Sequence, residues 1–113
     1  MHELSIVENI ISIANETTQS HHGKTVDSIE LDIGQLAGIE MGAFDFAWDI
    51  ATQNTVLENA ERKINRMSGR AQCLLCNTEF NIKQYLDFCP NCGSYQKEIL
   101  SGNDLKVKRI TLS

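Results

Sequence analysis

The chain has 113 residues, 42% hydrophobic and 22% charged, a length that suits one compact domain or one domain with a small appendage. One proline and seven glycines exclude a low-complexity chain, and the net charge of −5 argues against a nucleic-acid-binding protein. No basic segment leads into an apolar core and no stretch reaches ~20 apolar residues, so neither a signal peptide nor a membrane span is expected and the chain reads as cytoplasmic.

Leu4 to about Gln19 carries apolar residues at Leu4, Val7, Ile11 and Ala14, with Ile6, Ile10 and Ile13 widening the stripe, which is helical spacing. Ser5 and Glu8 match the S-x-x-E capping box, placing residues 1–4 outside or at the edge of that helix with their backbone amides uncommitted. Ser20-His21-His22-Gly23 ends the helix, and the two histidines read as solvated turn residues. From Val26 to Ile33 the residues Ile29, Leu31 and Ile33 alternate with Ser28, Glu30 and Asp32, a half-buried strand. Gly34 and Gly38 bracket a turn. Glu40 to about Thr52 is helical again, with Phe44, Ala47, Trp48 and Ala51 on one face; Phe44, Phe46 and Trp48 read as core, Asp45 and Asp49 as a solvated polar face.

Ala60 to Met67 forms a second strand of weaker alternation, broken by Ser68-Gly69. The cysteine region runs from about Arg70 to Gln96, with Thr78 to Ile82 strand-like. After the turn cluster Ser101-Gly102-Asn103-Asp104, Leu105 to Leu112 alternates as a last strand, its Lys106, Lys108 and Arg109 suited to a charge-protected edge. The economical place for that strand is the sheet of the first half. The expected fold class is therefore α+β: two helices on a small mixed three-stranded sheet, with an inserted four-cysteine zinc-ribbon domain. Residues 1–69 plus 103–113 would form one domain and 70–102 the other.

Cys73-Leu-Leu-Cys76 and Cys89-Pro-Asn-Cys92 are two C-x2-C pairs twelve residues apart. Each tight turn aims two sulfurs at one ion while its amides hydrogen-bond to them, so two turns supply a closed tetrahedral site. Pro90 stiffens the second turn, and Gly93 suits a positive φ. All-thiolate tetrahedral sites favour Zn(II); a rubredoxin-like iron centre is the rival, distinguished by its colour. Four protein ligands leave no open position, which makes the metal structural. Charge supports this: residues 1–69 hold eleven acids against four bases, whereas residues 70–113 hold four acids against six bases, and a zinc tetrathiolate brings that second region to neutral. Neither region has the basic footprint of a phosphate binder.

At the other end of the chain, Met1-His2-Glu3 offers a free amine, an imidazole and adjacent backbone amides, a compact set of nitrogen donors of the kind Ni(II) or copper takes in a plane. His2 is bulky and hinders removal of Met1. By residue chemistry alone an early histidine is more often without function.

The start Met-His-Glu-Leu-Ser, the run Ile-Gly-Gln-Leu-Ala-Gly-Ile-Glu at 33–40, the aromatic helix, and paired C-x2-C motifs ending in Cys-Pro-Asn-Cys-Gly-Ser at 89–94 together resemble the HypA/HybF family over essentially the whole chain. The resemblance implies a nickel metallochaperone of [NiFe]-hydrogenase maturation. Its Ni(II) would be bound by the Met1 amine, the His2 side chain and the backbone amides of His2 and Glu3, and its Zn(II) by Cys73, Cys76, Cys89 and Cys92. It further implies a HypB-type GTPase and the hydrogenase large subunit as partners, with urease maturation proteins served by some members. Gln35 stands where many members have glutamate, Glu40 matches an acidic position near the nickel end, and a nickel-contacting histidine found in the zinc region of some members has no counterpart after His22. No nucleophile–base pair, glycine-rich phosphate loop or open zinc site supports an enzyme. The alternative is a zinc-ribbon protein-interaction adaptor without a nickel role.

Overall fold

The computed structural model describes residues 2–113, His2 by its backbone and the side chains from Glu3 onward. In chain order the elements are α1 (His2–Ser20), β1 (Val26–Gly34), α2 (Met41–Ala51), β2 (Glu61–Met67), β3 (Gly69–Cys73), β4 (Glu79–Ile82), β5 (Lys97–Ser101) and β6 (Leu105–Leu112). They divide into two compact units, one of Met1–Leu31, Ile39–Ile64 and Val107–Ser113, the other of Asp32–Gly38 and Asn65–Lys106. The architecture is the expected one of two helices, a three-stranded sheet and a four-cysteine ribbon.

In the first unit, α1 buries Glu3, Val7, Ile10, Ala14 and Thr18, spaced by three and four residues. Val7, Ile10 and Ala14 lie on the broad stripe expected, whereas its other members depart from it: Leu4 and Ile13 are exposed, and Ile11 is only half-buried. Leu4, Ile6, Ile11 and Ile13 crowd the same stretch as Val7 and Ile10, so the sequence alone allows several helix rotations. The rotation adopted turns Val7, Ile10 and Ala14 inward together with Glu3 and Thr18. Ser5 is not the cap. The helix begins at His2, and Ser5 is an exposed residue of its first turn. The acid that serves the helix start is Glu3, whose carboxyl accepts its own backbone N–H and, at 3.2 Å, the backbone N–H of Glu40.

Glu40 in turn caps α2: its side chain accepts from the amides of Gly42 and Ala43. Helix α2 packs on α1 and buries Phe44 and Trp48, whose rings lie 5.9 Å apart. The Arg62 guanidinium covers both rings at 5.7 and 5.3 Å and bonds Asp45 at 2.8 Å; the Asp45 side chain stays 50% exposed and Asp49 is exposed, the polar face expected for them. Phe46, expected in the core, is 69% exposed because it lies two residues along the helix from Phe44 and from Trp48. Strand β1 buries Val26, Ile29, Leu31 and Ile33 and is central in the sheet order β2-β1-β6. The last strand, β6, carries the expected charge, with Arg109 and Lys108 reaching Glu30 of β1 at 3.2 and 3.7 Å.

The second unit holds a separate sheet of order β4-β3-β5, both pairings antiparallel. Strands β3 and β5 have no counterpart in the sequence pattern. β3 alternates small buried residues, Gly69, Ala71 and Cys73, against Arg70 and Gln72, and β5 buries almost nothing. Gly34, Leu36, Ser68 and Gly102 meet where backbone crosses backbone. Leu36 N–H donates to Gly102 O at 2.8 Å, and a Cβ on Gly34 would stand 2.1 Å from that same oxygen. The apolar core here is small: Leu36, Ala71, Phe80 and Ile82, joined by the ligand residues Cys73 and Cys89.

Candidate metal centres

The two knuckles fold alike. In the first, the Cys73 N–H donates to Thr78 O at 2.9 Å and the Asn77 N–H donates to Cys73 O at 3.0 Å. In the second, the Cys89 N–H donates to Ser94 O at 2.8 Å and the Gly93 N–H donates to Cys89 O at 2.8 Å. The fourth residue after each leading cysteine takes a positive φ, 63° at Asn77 and 79° at Gly93. Gly93 behaves as its sequence suggests. Asn77 escapes a reading of the cysteines alone, although the signal is present: both motifs continue after the second cysteine with a residue that tolerates positive φ (Asn or Gly) and then a hydroxyl residue (Thr or Ser).

These turns bring all four Sγ atoms within 4.8 Å of one another, with Cys73–Cys92 at 3.5 Å and Cys76–Cys89 at 3.6 Å across the knuckles. Zinc–sulfur bonds of about 2.3 Å give a regular tetrahedron edges of about 3.8 Å, so the sulfur set has the size the ion needs. Cys73 and Cys89 are buried and Cys92 is exposed.

Hydrogen bonds to sulfur set the charge of the cluster. The Asn91 side-chain amide donates to Cys76 Sγ at 3.5 Å and the Thr78 hydroxyl lies 3.1 Å from it; with the Thr78 backbone N–H they pull this thiol down to about 5. The N–H groups of Cys76 and Leu75 pull Cys73 down as well. Cys92 also receives an N–H, from Ser94, but the neighbouring sulfurs, Cys73 foremost, outweigh it and push the thiol up to about 12. Protein groups alone thus favour some thiolates but cannot hold four at this separation. A divalent cation supplies the missing positive charge, and an all-sulfur tetrahedral set selects zinc. The residues fit the ion, and Asn91 and Thr78 orient the ligands from behind.

At the chain start, the nickel ligands expected at Met1 and on the His2 side chain lie outside the described residues. Glu3 is described: the residue is 8% exposed, and its carboxyl is held below its ordinary value by its own amide and that of Glu40. Glu40, expected near this end, has its carboxylate engaged in capping α2. His21 and His22 are exposed in the turn after α1, His21 Nδ1 lying 2.9 Å from Thr17 O and His22 at φ 65°. Among the described residues no other histidine, cysteine or carboxylate group gathers as a metal-binding cluster. No described helix is long and apolar enough to cross a membrane.

Comparison with known proteins agrees with this arrangement. Residues 1–112 match the family model described as HypA, hydrogenase/urease nickel incorporation, metallochaperone. Hydrogenase maturation factor HypA of Geobacter metallireducens is 37% identical over 110 residues, 97% of either chain, and that of Francisella philomiragia is 37% identical over the full length of both. Among solved structures, the nickel metallochaperone HypA from Helicobacter pylori superposes with a TM-score of 0.68 at 19% identity, over 97% of this chain and 96% of its own, which supports the fold. With the cysteine cluster in place and the match running through both the Met-His-Glu start and the ribbon, the chain belongs to the HypA family of nickel-incorporation metallochaperones.

Proposed function

We propose that the chain carries one Ni(II) on the Met1 amine, the His2 imidazole and the backbone amides of His2 and Glu3, and passes it, with a HypB-type GTPase, to the large subunit of a [NiFe]-hydrogenase in the cytoplasm. Some of the same cargo would reach urease maturation proteins. The observation that carries this reading is the family match from residue 1 onward, in a chain with histidine at its second position. The helix start supports it physically. An α-helix has no internal acceptor for the N–H groups of its first turn, so metal coordination by the amides at residues 2 and 3 would leave the ladder intact and displace only the bond from the Glu3 N–H to its own carboxyl.

The protein's work is binding and release. Backbone-amide ligation requires proton loss, so affinity rises with pH and falls when the ligands are reprotonated. A site on the first residues gives up its ion without opening the core that starts at Val7 and Ile10. Zinc, when bound, would offset half the charge of the four thiolates and hold the ribbon folded. With all four positions taken by protein sulfur, it has no place for a substrate, and the chain catalyses no reaction. Residues 1–69 plus 103–113 serve as the nickel domain and 70–102 as the zinc domain.

Nickel titration of untagged protein by calorimetry, beside His2→Ala, with metal analysis of both, tests the reading. One tight site in the native chain, absent in the variant while zinc remains bound, is the expected result. Equal nickel binding by both proteins would leave the adaptor reading standing.

A further inference from the structure

Helix α2 is apolar almost all round. Its residues, Met41–Ala51, include two polar side chains, Asp45 and Asp49, one turn apart. A helix of that kind is ordinarily buried on every side. Here Phe44 and Trp48 face the core, while Phe46 is 69% exposed and Ile50 53%, one turn apart on the opposite side. Gly42 and Ala43, in the turn before Phe46, are exposed as well, and their small side chains leave flat surface beside it.

The charge around this face is acidic. Asp49 is exposed and lies three residues after Phe46, its neighbour on the helix surface. At the N-terminal end the Glu40 carboxylate accepts the Gly42 N–H at 3.1 Å, and a Cβ on Gly42 would stand 3.1 Å from Glu40 Oε1, so this second carboxylate lies against the exposed turn. Helix α1, which packs on α2, adds Glu3, Glu8 and Glu16, and neither helix holds a lysine or arginine. The Arg62 guanidinium does reach α2, but on the side of Phe44 and Trp48, where their rings and Asp45 engage it. An occupant of the outer face has to bring apolar side chains to Phe46 and Ile50 and positive charge to Asp49 and Glu40.

We propose that the outer face of α2 docks a basic amphipathic segment of a partner protein, whose apolar side chains cover Phe46 and Ile50 and whose lysine or arginine groups meet the Asp49 and Glu40 carboxylates. The face lies within the first unit and uses neither a cysteine nor any of the first three residues, so it stands or falls apart from nickel binding. A second copy docking face to face would bring the acids of both copies together with no cation between them, which disfavours self-association through α2.

The test uses the zinc-loaded full chain and a fluorescein-labelled synthetic amphipathic peptide of Leu, Ala and Lys, with a control in which every Lys is Glu. Fluorescence anisotropy is expected to show the basic peptide binding at least about tenfold tighter than the control. Phe46→Ser with Ile50→Ser, which keeps the charge of the chain, is expected to weaken it by about tenfold or more. Asp49→Lys is expected to weaken it by about fivefold or more, whereas the same charge change at Glu98, an exposed residue of the other unit, should leave it within about twofold. Denaturant unfolding and amide exchange of α1 and α2 in each variant establish that the helices are folded. The proposal is overturned by equal binding of the two peptides, by failure of the native chain to bind the basic one, or by a serine variant that binds like the native chain. Equal loss at Asp49 and Glu98 also overturns it, since the attraction would then be to net charge alone. So does a native dimer in sedimentation that Phe46→Ser and Ile50→Ser dissociate, which would make the occupant a second copy.

Discussion

Removing zinc should unfold the ribbon. The apolar side chains available to hold it are few: Leu36, Phe80 and Ile82 are fully or nearly buried, and each contributes about 1.5–3 kcal/mol. Two further core members, Cys73 and Cys89, are ligands, so their packing depends on the site. A structural zinc in a module of this kind contributes about 10–16 kcal/mol, more than those three side chains together. Chelation therefore takes away most of what holds the ribbon, and it also leaves the cluster with thiolate charge that nothing offsets. Hydrogen exchange read by mass spectrometry, with and without a strong chelator, is the assay. The amides of β3, which pairs with both β4 and β5, should lose protection by more than about a thousandfold, equivalent to about 4 kcal/mol. Amides of α1, β1 and α2, held by Val7, Ile29, Leu31 and Phe44, should change little. If β3 keeps its protection to within about tenfold after the metal is gone, zinc is not what holds the ribbon.

Zinc uptake near pH 7 should release close to four protons, because the ribbon is unfolded without the metal and cysteine thiols in an unfolded segment titrate at about 8.5; calorimetry in buffers of different ionisation enthalpy counts them, and release of two or fewer would contradict an unfolded metal-free ribbon. In nickel-free protein, Glu3→Gln should destabilise α1 at neutral pH. A carboxyl lowered on folding contributes stability above its unfolded value of 4.5 and loses it as pH falls toward the folded value, so the gap between native and variant should close in acid; exchange rates of α1 amides from pH 7 to 3 would show it, and a gap that widens in acid would refute the sign. Phe44→Ala should cost about 3–5 kcal/mol in denaturant unfolding, since Phe44 is 0% exposed beneath Arg62 and beside Trp48, whereas Phe46→Ala, at a 69% exposed position, should stay within about 0.5 kcal/mol.

The elements with a strong period or a fixed chemical spacing are legible in the sequence. β1, β6 and the two C-x2-C knuckles appear where alternation and cysteine spacing place them. Where several apolar residues compete, pattern alone cannot choose. α1 offers Leu4, Ile6, Ile11 and Ile13 as well as Val7 and Ile10, and the rotation adopted buries Glu3, which accepts the N–H of Glu40, a contact 37 residues away in sequence. The Ser5–Glu8 pair meets the capping pattern but lies inside a helix that Glu3 allows to start earlier. β3 and β5 are hidden because their pairing is fixed by the knuckles they join, and the residues they bury are small or few. Glu40 shows the limit of motif reasoning: its position near the nickel end is readable, its use as a helix cap is not.

The proposed nickel site has the amine of the first residue as a ligand. Calorimetric nickel titration of the native chain beside one carrying a single glycine ahead of Met1 tests this directly, since the added residue moves the amine while leaving His2, the cysteines and the helix intact. Loss of the tight site in the extended protein, at unchanged zinc content, is the predicted result; equally tight nickel binding by both would contradict it.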